Sequence, residues 1–274
     1  MTRIKYRSVF LGLAAAALLV PALAAIGPSA AAAPQASSCP RALIIGLHGV
    51  AEGPSPTDSQ KSSTIQTAFS AFAAEVKKLP NDGTSHSYRL QWFAYPTVPR
   101  NDFNSLSGLH DALSTVATAA TQLYNYVSGQ TAACPDTLIS VVGYSMGAWV
   151  INVALTRHYY MAALLNLVQL EGDPCWSNTG DGSAGLAQRA QEAGASMGCL
   201  GADTYPYLSF ANPFTSQSLC YGNDPICGEG YTALTLPQEI AAAKNCGKGC
   251  SHFLYYKDGA AAEGGRWLAD YAFT

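Results

Sequence analysis

Leu138-Ile139-Ser140-Val141-Val142 runs directly into Gly143-Tyr144-Ser145-Met146-Gly147, and an apolar, helix-like stretch over residues 148–158 follows. An apolar run of strand length, a serine between glycines and a helical pattern predict a strand, a sharp turn and a helix, with the serine at the turn. In that setting G-x-S-x-G is the pattern of a nucleophile elbow. The glycines let strand and helix approach closely and let the chain turn sharply, which lifts the hydroxyl into the open. The helix N-terminus behind the serine favours negative charge that develops there. A plain turn between a strand and a helix carries the same five residues, so the reading depends on the rest of the chain.

Outward from this stretch, residues 42–47 form a short apolar run fit for a buried strand. Residues 62–78 have helical spacing, with Ile65, Phe69, Phe72 and Val76 on one stripe. Residues 88–95 alternate and are aromatic, which predicts a strand ending before Pro96 and Pro99. A long helical pattern over 105–127 is closed by Gly129. Further strands are expected over 164–170, stopped by Gly172-Asp173-Pro174, and over 207–210, stopped by Asn212-Pro213. Residues 175–206 read as a long surface excursion with one helix. Residues 236–245 suit a short helix with Pro237 in its first turn, and 266–272 suit a terminal helix. Strands alternating with helices predict a mainly parallel five-stranded sheet covered on both faces, with functional loops at the carboxyl ends of the strands. Phe214, Leu219, Tyr231 and Leu234 fit an apolar groove or ordinary packing equally well.

The first residues read as a leader. Arg3, Lys5 and Arg7 precede an apolar Ala/Leu-rich run, and Ala30-Ala31-Ala32 offers a small-residue cleavage site. The expectation is a signal peptide over 1–32, a single domain over 33–274, and a secreted, extracellular product. The 274-residue chain carries a net charge of −3. Three of its bases and none of its acids lie in the leader, so the remainder is more acidic still. That balance gives no footprint for nucleic acid. No later segment is long and apolar enough to span a bilayer. Eight cysteines lie beyond the leader, an even number that in an exported chain predicts four disulfides. They are scattered rather than grouped in CxxC pairs, so a metal site is not expected, and no cofactor is implied.

A serine hydroxyl is a poor nucleophile until a base takes its proton and a carboxylate orients that base. For a nucleophile on a strand–turn–helix elbow the chain order is Ser, then acid, then His. Of His48, His86, His110, His158 and His252, only the last two follow Ser145. His158 lies thirteen residues down the helix that begins at the elbow, about 20 Å away at ~1.5 Å per residue. His252 remains. The acid is less constrained: Glu171, Asp173, Asp181, Asp203, Asp224 and Glu229 all follow the serine. Asp173, at a strand end, is one strong choice. Asp224 is the other, because it lies between Cys220 and Cys227, and a bridge there would hold it in a tight ring beside the histidine loop. An oxyanion needs two backbone donors. Met146 N–H follows the serine, and the loop Leu47-His48-Gly49-Val50-Ala51-Glu52-Gly53 offers Val50 or Ala51.

These features together resemble the cutinase family, which includes cutinases, acetylxylan esterases and related lipid esterases. The resemblance runs from Cys39-Pro40 to about Tyr256. Its landmarks are Cys39-Pro40, the Gly143–Gly147 pentapeptide, Glu171-Gly172-Asp173-Pro174, the Cys220 to Cys227 ring around Asp224, and Ser251-His252 followed by Tyr255. It implies a three-layer α/β/α sandwich, a Ser145, Asp224, His252 triad, and bridges Cys39–Cys134 and Cys220–Cys227. For the other four cysteines, whose pairing the sequence leaves open, Cys175–Cys199 and Cys246–Cys250 are the expectation. The chain departs from the family pattern at Met146, where Gln is frequent, and at Val50, where many members carry a hydroxyl. The separation of Asp224 from His252 is long for the family, and the extra residues are expected to form a rim or partial lid. The implied function is a secreted serine esterase, a monomer acting on cutin-like polyester or lipid esters. Acetylated polysaccharide and cell-envelope lipid are the alternative substrates, peptidase chemistry has less support, and a weakly catalytic binding protein on the same scaffold is the alternative of another class.

Overall fold

A computed structural model describes residues 39–50, 63–80, 85–98, 105–178, 183–184, 186–192, 197–199, 216–221, 223–228, 235–246, 250–257 and 259–273. In chain order the elements are β1 (Ala42–Leu47), α1 (Ser63–Val76), β2 (Tyr88–Trp92), α2 (Leu106–Ala133), β3 (Leu138–Tyr144), α3 (Met146–Arg157), α4 (Met161–Leu164) and β4 (Leu167–Glu171). They continue with β5 (Ser177–Asn178), β6 (Ser183–Ala184), α5 (Leu186–Glu192), β7 (Ser216–Leu219), α6 (Leu236–Asn245) and α7 (Ala260–Phe273). The main sheet has strand order β2-β1-β3-β4-β7, and every pairing in it is parallel. β5 and β6 form a separate two-stranded antiparallel ribbon.

Strand alternation separates two cores. Leu43, Ile45, Leu47, Ile139, Val141, Val168 and Leu170 face α2 and α3. Ala42, Ile44, Val142, Tyr144 and Leu167 face α1 and α7. The result is the expected three-layer α/β/α sandwich. β1 and β3 are buried along almost their whole length, as central parallel strands with helices on both faces must be.

Several boundaries differ from the sequence reading for physical reasons. β2 ends at Trp92 rather than at residue 95, and Tyr95 instead stacks on His48 at 4.6 Å between ring centres. α2 runs through Gly129, which is exposed and meets no neighbour, and ends at Ala133. Its C-cap is Cys134, bridged to Cys39. α7 begins at Ala260, six residues before the predicted start. Its Gly264-Gly265 pair looks like a helix breaker but marks a close crossing: a β-carbon at 265 would lie 2.2 Å from the Ala68 carbonyl oxygen of α1. α4 carries no sequence signal beyond its four residues. The predicted strand over 207–210 lies outside the described residues. The fifth strand of the sheet is β7, a polar, half-buried Ser216-Gln217-Ser218-Leu219 edge paired only to β4. Leu219 packs into the α1/α7-side core, whereas Phe214, Tyr231 and Leu234 lie outside the described residues.

Candidate active site

β3 delivers Ser145 to the carboxyl end of the sheet, and α3 starts one residue later. Ser145 has φ 55° and ψ −119°, a backbone state that non-glycine residues avoid. The turn is held in that state by two backbone bonds. Ser145 N–H donates to the Glu171 carbonyl at the end of β4 (2.8 Å), and Trp149 N–H donates to the Ser145 carbonyl (3.1 Å). Gly147 permits the tight approach of α3 to β1. A β-carbon there would sit 2.3 Å from the Leu47 carbonyl oxygen and 2.7 Å from that of His48.

His252 lies in a 3₁₀ turn, Ser251–Phe253, whose N-cap is Cys250. Its Nε2 is 2.9 Å from Ser145 Oγ, and its Nδ1 is 2.9 Å and 3.1 Å from Asp224 Oδ2 and Oδ1. A carboxylate only accepts, so Nδ1 carries the proton and Nε2 is left to accept the serine hydroxyl. Ser145, His252 and Asp224 are 5%, 4% and 0% exposed. Tyr144, the residue before Ser145, braces His252: its phenol donates to the His252 carbonyl (2.6 Å) and its ring stacks on the imidazole. Chain order had left His252 by elimination, and the structure brings it to the serine. His158 lies at the far end of α3, stacked on Tyr124.

Asp224 follows Asn223, which has a positive φ of 67°, inside the Cys220–Cys227 ring. Its Oδ1 accepts from Ile226 N–H at 2.8 Å and its Oδ2 from Tyr255 Oη–H at 2.9 Å. Each oxygen is therefore held by its own donor. The rival, Asp173, is equally buried but its described bonds point elsewhere: Oδ1 accepts from Cys175 N–H and Oδ2 from Asn152 Nδ2. Glu171 turns toward the α7 face, where Gln169 Nε2 donates to its Oε1 (2.5 Å) and Oε2 has no hydrogen-bond partner among the described residues. Burial pushes the Glu171 carboxyl up to about 8, against the pull of the Gln169 bond. Asp181, Asp203 and Glu229 lie outside the described residues.

On the oxyanion side, Met146 opens α3, so its N–H has no intrahelical acceptor. Gly49 lies against the elbow, its β-carbon position 3.2 Å from Ser145 Cβ, and Val50 is half-buried beside it. Ala51 lies outside the described residues. The loop after β1 therefore borders Ser145. His48 is buried and stacked on Tyr95, with Nδ1 2.9 Å from the Gly49 carbonyl oxygen, and burial lowers its pKa.

The four disulfides are Cys39–Cys134, Cys175–Cys199, Cys220–Cys227 and Cys246–Cys250, and no cysteine is free. α6, the helix of the long Asp224–His252 connection, is docked on the body. Ala243 is buried in the α3-side core, with Leu236 and Ile240 packed against it. Buried Glu239 lies 2.8 Å from Arg189 Nε of α5, an ion-pair distance without hydrogen-bond geometry. The Cys246–Cys250 bridge joins the end of α6 to the residue that caps the His252 turn. Sequence reasoning missed the two tyrosine hydroxyls and the Ile226 amide, because a buried tyrosine in a sequence looks like core. Among the described residues, no group of three or more His, Cys, Asp or Glu side chains is arranged to hold a metal, and no helix is long and apolar enough to cross a membrane.

No curated protein matches the sequence. Among solved structures, the chain is similar to a cutinase-like protein from Cryptococcus sp., with 17% identity, 84% of this chain and 98% of that one covered, and a TM-score of 0.46. A Trichoderma reesei cutinase in complex with a phosphonate inhibitor gives 14%, 85%, 77% and 0.46. The catalytic core domain of the acetyl xylan esterase from Trichoderma reesei gives 15%, 80%, 98% and 0.44. The sequence model of one family, Cutinase, matches residues 58–263. A match over most of its length means that the chain belongs to the cutinase family, as a serine carboxylic-ester hydrolase.

Proposed function

We propose that the protein is an exported esterase that cleaves polyester or lipid esters by acyl transfer, with Ser145 as nucleophile, His252 as base and Asp224 as its orienting acid. The observation that carries this reading is the hydrogen-bonded line from Ser145 Oγ through both His252 nitrogens to Asp224. His252 Nε2 takes the Ser145 proton as Oγ attacks the ester carbonyl. The tetrahedral oxyanion is held by Met146 N–H and by Val50 or Ala51 N–H. Collapse expels the alcohol, which leaves with the proton from Nε2–H, and the acyl group stays on Oγ. Water then attacks the acyl-enzyme with the same histidine as base, releasing the acid. Asp224 fixes the tautomer and stabilises the imidazolium in both halves.

The leader over 1–32, a single domain over 33–274, extracellular location and a monomeric state complete the reading. Four disulfides agree with an oxidising compartment. The test is a panel of esters from acetyl to palmitoyl, with acetylated xylan and a polyester film, on wild type and Ser145→Ala. Turnover of long-chain esters and film by wild type alone supports the proposal. Confinement to acetyl esters and xylan moves the substrate to acetylated polysaccharide. Equal rates in both proteins reject the triad.

A further inference from the structure

One turn after His252 stands Tyr255, which is fully buried. Three groups surround its hydroxyl: Asp224 Oδ2 at 2.9 Å, the Tyr221 amide at 3.0 Å and Cys227 Sγ at 3.3 Å. The amide has only a proton to give, so the phenol oxygen accepts from it. The carboxylate has none, and the sulfur, bonded to Cys220, has none either. Thiolate-free sulfur is a weak acceptor and the carboxylate a strong one, so the phenol proton goes to Asp224. The seat of this phenol is rigid. The Tyr255 ring packs on Tyr221 at 4.5 Å between centres, and its carbonyl accepts from Ala261 N–H at the start of α7. Burial and the Asp224 charge push its ionisation well above that of a free phenol, so it remains a donor.

The other supports of Asp224 leave one freedom. The Cys220–Cys227 ring fixes its backbone, and Ile226 N–H fixes Oδ1. Neither restrains Oδ2, the oxygen nearer to His252 Nδ1. That restraint comes from Tyr255.

We propose that Tyr255 is a positioning residue for the acyl-transfer reaction: its phenol anchors Asp224 Oδ2 so that the carboxylate stays aligned with His252 Nδ1. The proposal rests on the triad reading above. It places the base and the anchor of the acid on one short turn, 252–255, so the two partners of Ser145 are aligned by the same piece of backbone. It also distinguishes Tyr255 from a residue that only fills space, since packing needs the ring and alignment needs the oxygen.

Tyr255→Phe keeps the ring and removes the oxygen. With p-nitrophenyl acetate, kcat is expected to fall about ten- to a hundred-fold, the size of a lost hydrogen bond to a charged group, with KM within about twofold of wild type. In an Asp224→Asn background the same substitution is expected to change kcat by less than about twofold, because the anchor acts through the carboxylate. The proton NMR signal of His252 Nδ1–H in the phosphonate-inhibited enzyme is expected to move downfield, as Asp224 loses a competing donor. A fluorotyrosine installed at 255, a stronger donor with the same ring, is expected to move it upfield and serves if Tyr255→Phe does not fold. Wild-type kcat with an unmoved signal overturns the proposal, and so does an undiminished effect in the Asp224→Asn background. Ser145→Ala assayed alongside separates the failures: if it retains wild-type activity, the triad reading falls, not the tyrosine alone.

Discussion

From residue 138 to 157 Ser145 is carried by regular structure. β3 is laddered on both sides, to β1 and β4, every residue from Ile139 to Leu155 is buried, and α3 follows without a loop. From 216 to 257 Asp224 and His252 are carried differently. β7 is a four-residue edge with no fully buried position, Asp224 sits in a disulfide ring, and His252 sits in a single 3₁₀ turn tied by another bridge. Ser145 is placed by packing and backbone ladders. Its two partners are placed by covalent links and side-chain hydrogen bonds. Such a division lets the strained elbow rest on a stiff core while the proton-handling groups are set by short-range polar contacts.

The contrast breaks most severely at Gly147. Gly147→Ala drives a β-carbon into the carbonyls of Leu47 and His48, backbone atoms that cannot swing aside. Urea unfolding is expected to show a loss of about 3 kcal/mol or more, with activity falling too as the loop beside Ser145 is displaced. In the other region, Cys220→Ser/Cys227→Ser removes the ring that frames Asp224. The expected loss of stability is about 2–3 kcal/mol. Hydrolysis should suffer beyond that, so that turnover of the still-folded enzyme, measured below its melting range, is reduced at least about tenfold.

The sequence announces the two regions unequally for the same physical reason. Regular structure repeats, and repetition is visible: the apolar run before Gly143 and the helical pattern after Gly147 revealed strand, turn and helix. The sandwich, the parallel sheet and α6 were readable in the same way. Disulfides and single hydrogen bonds do not repeat. His252 emerged only by eliminating other histidines, and Asp224 by the cysteines around it, with Asp173, which bonds to Asn152 and Cys175, left as a rival. β7 has no apolar period: Ser216-Gln217-Ser218-Leu219 is an edge strand paired to β4, and of its four residues Leu219 packs against the core. Gly129 misled because a glycine reads as a stop whether it caps a helix or lies idle on its surface.

A subtler probe lies where the regions meet, at Glu171. Its folded carboxyl, pushed up to about 8 from 4.5, holds a proton that the unfolded chain has already released between those values. Folding then takes up a proton, so stability is intact below pH 4.5 and declines as pH rises toward 8. Glu171→Gln has no such titration. The gap in melting temperature between variant and wild type should widen in the variant's favour by several degrees from pH 5 to 8, then level off. A gap independent of pH would contradict the buried neutral acid. The smallest effect is expected at Gly129, exposed in the interior of α2 with no neighbour within 4 Å. Gly129→Ala should stabilise the protein by about 0.5–1 kcal/mol, with no change in activity, as befits a helix remote from the site's polar contacts.

The central claim, that Ser145 is activated by His252 across the boundary between the two regions, is tested most directly by covalent labelling. Intact-mass analysis after treatment with an alkyl p-nitrophenyl phosphonate should show one adduct per chain, mapped to the peptide containing Ser145. Ser145→Ala should show none, and folded His252→Ala should be labelled about a thousand-fold more slowly or worse. A folded wild-type protein that takes no label, or a Ser145→Ala protein labelled as fast as wild type, would contradict the account.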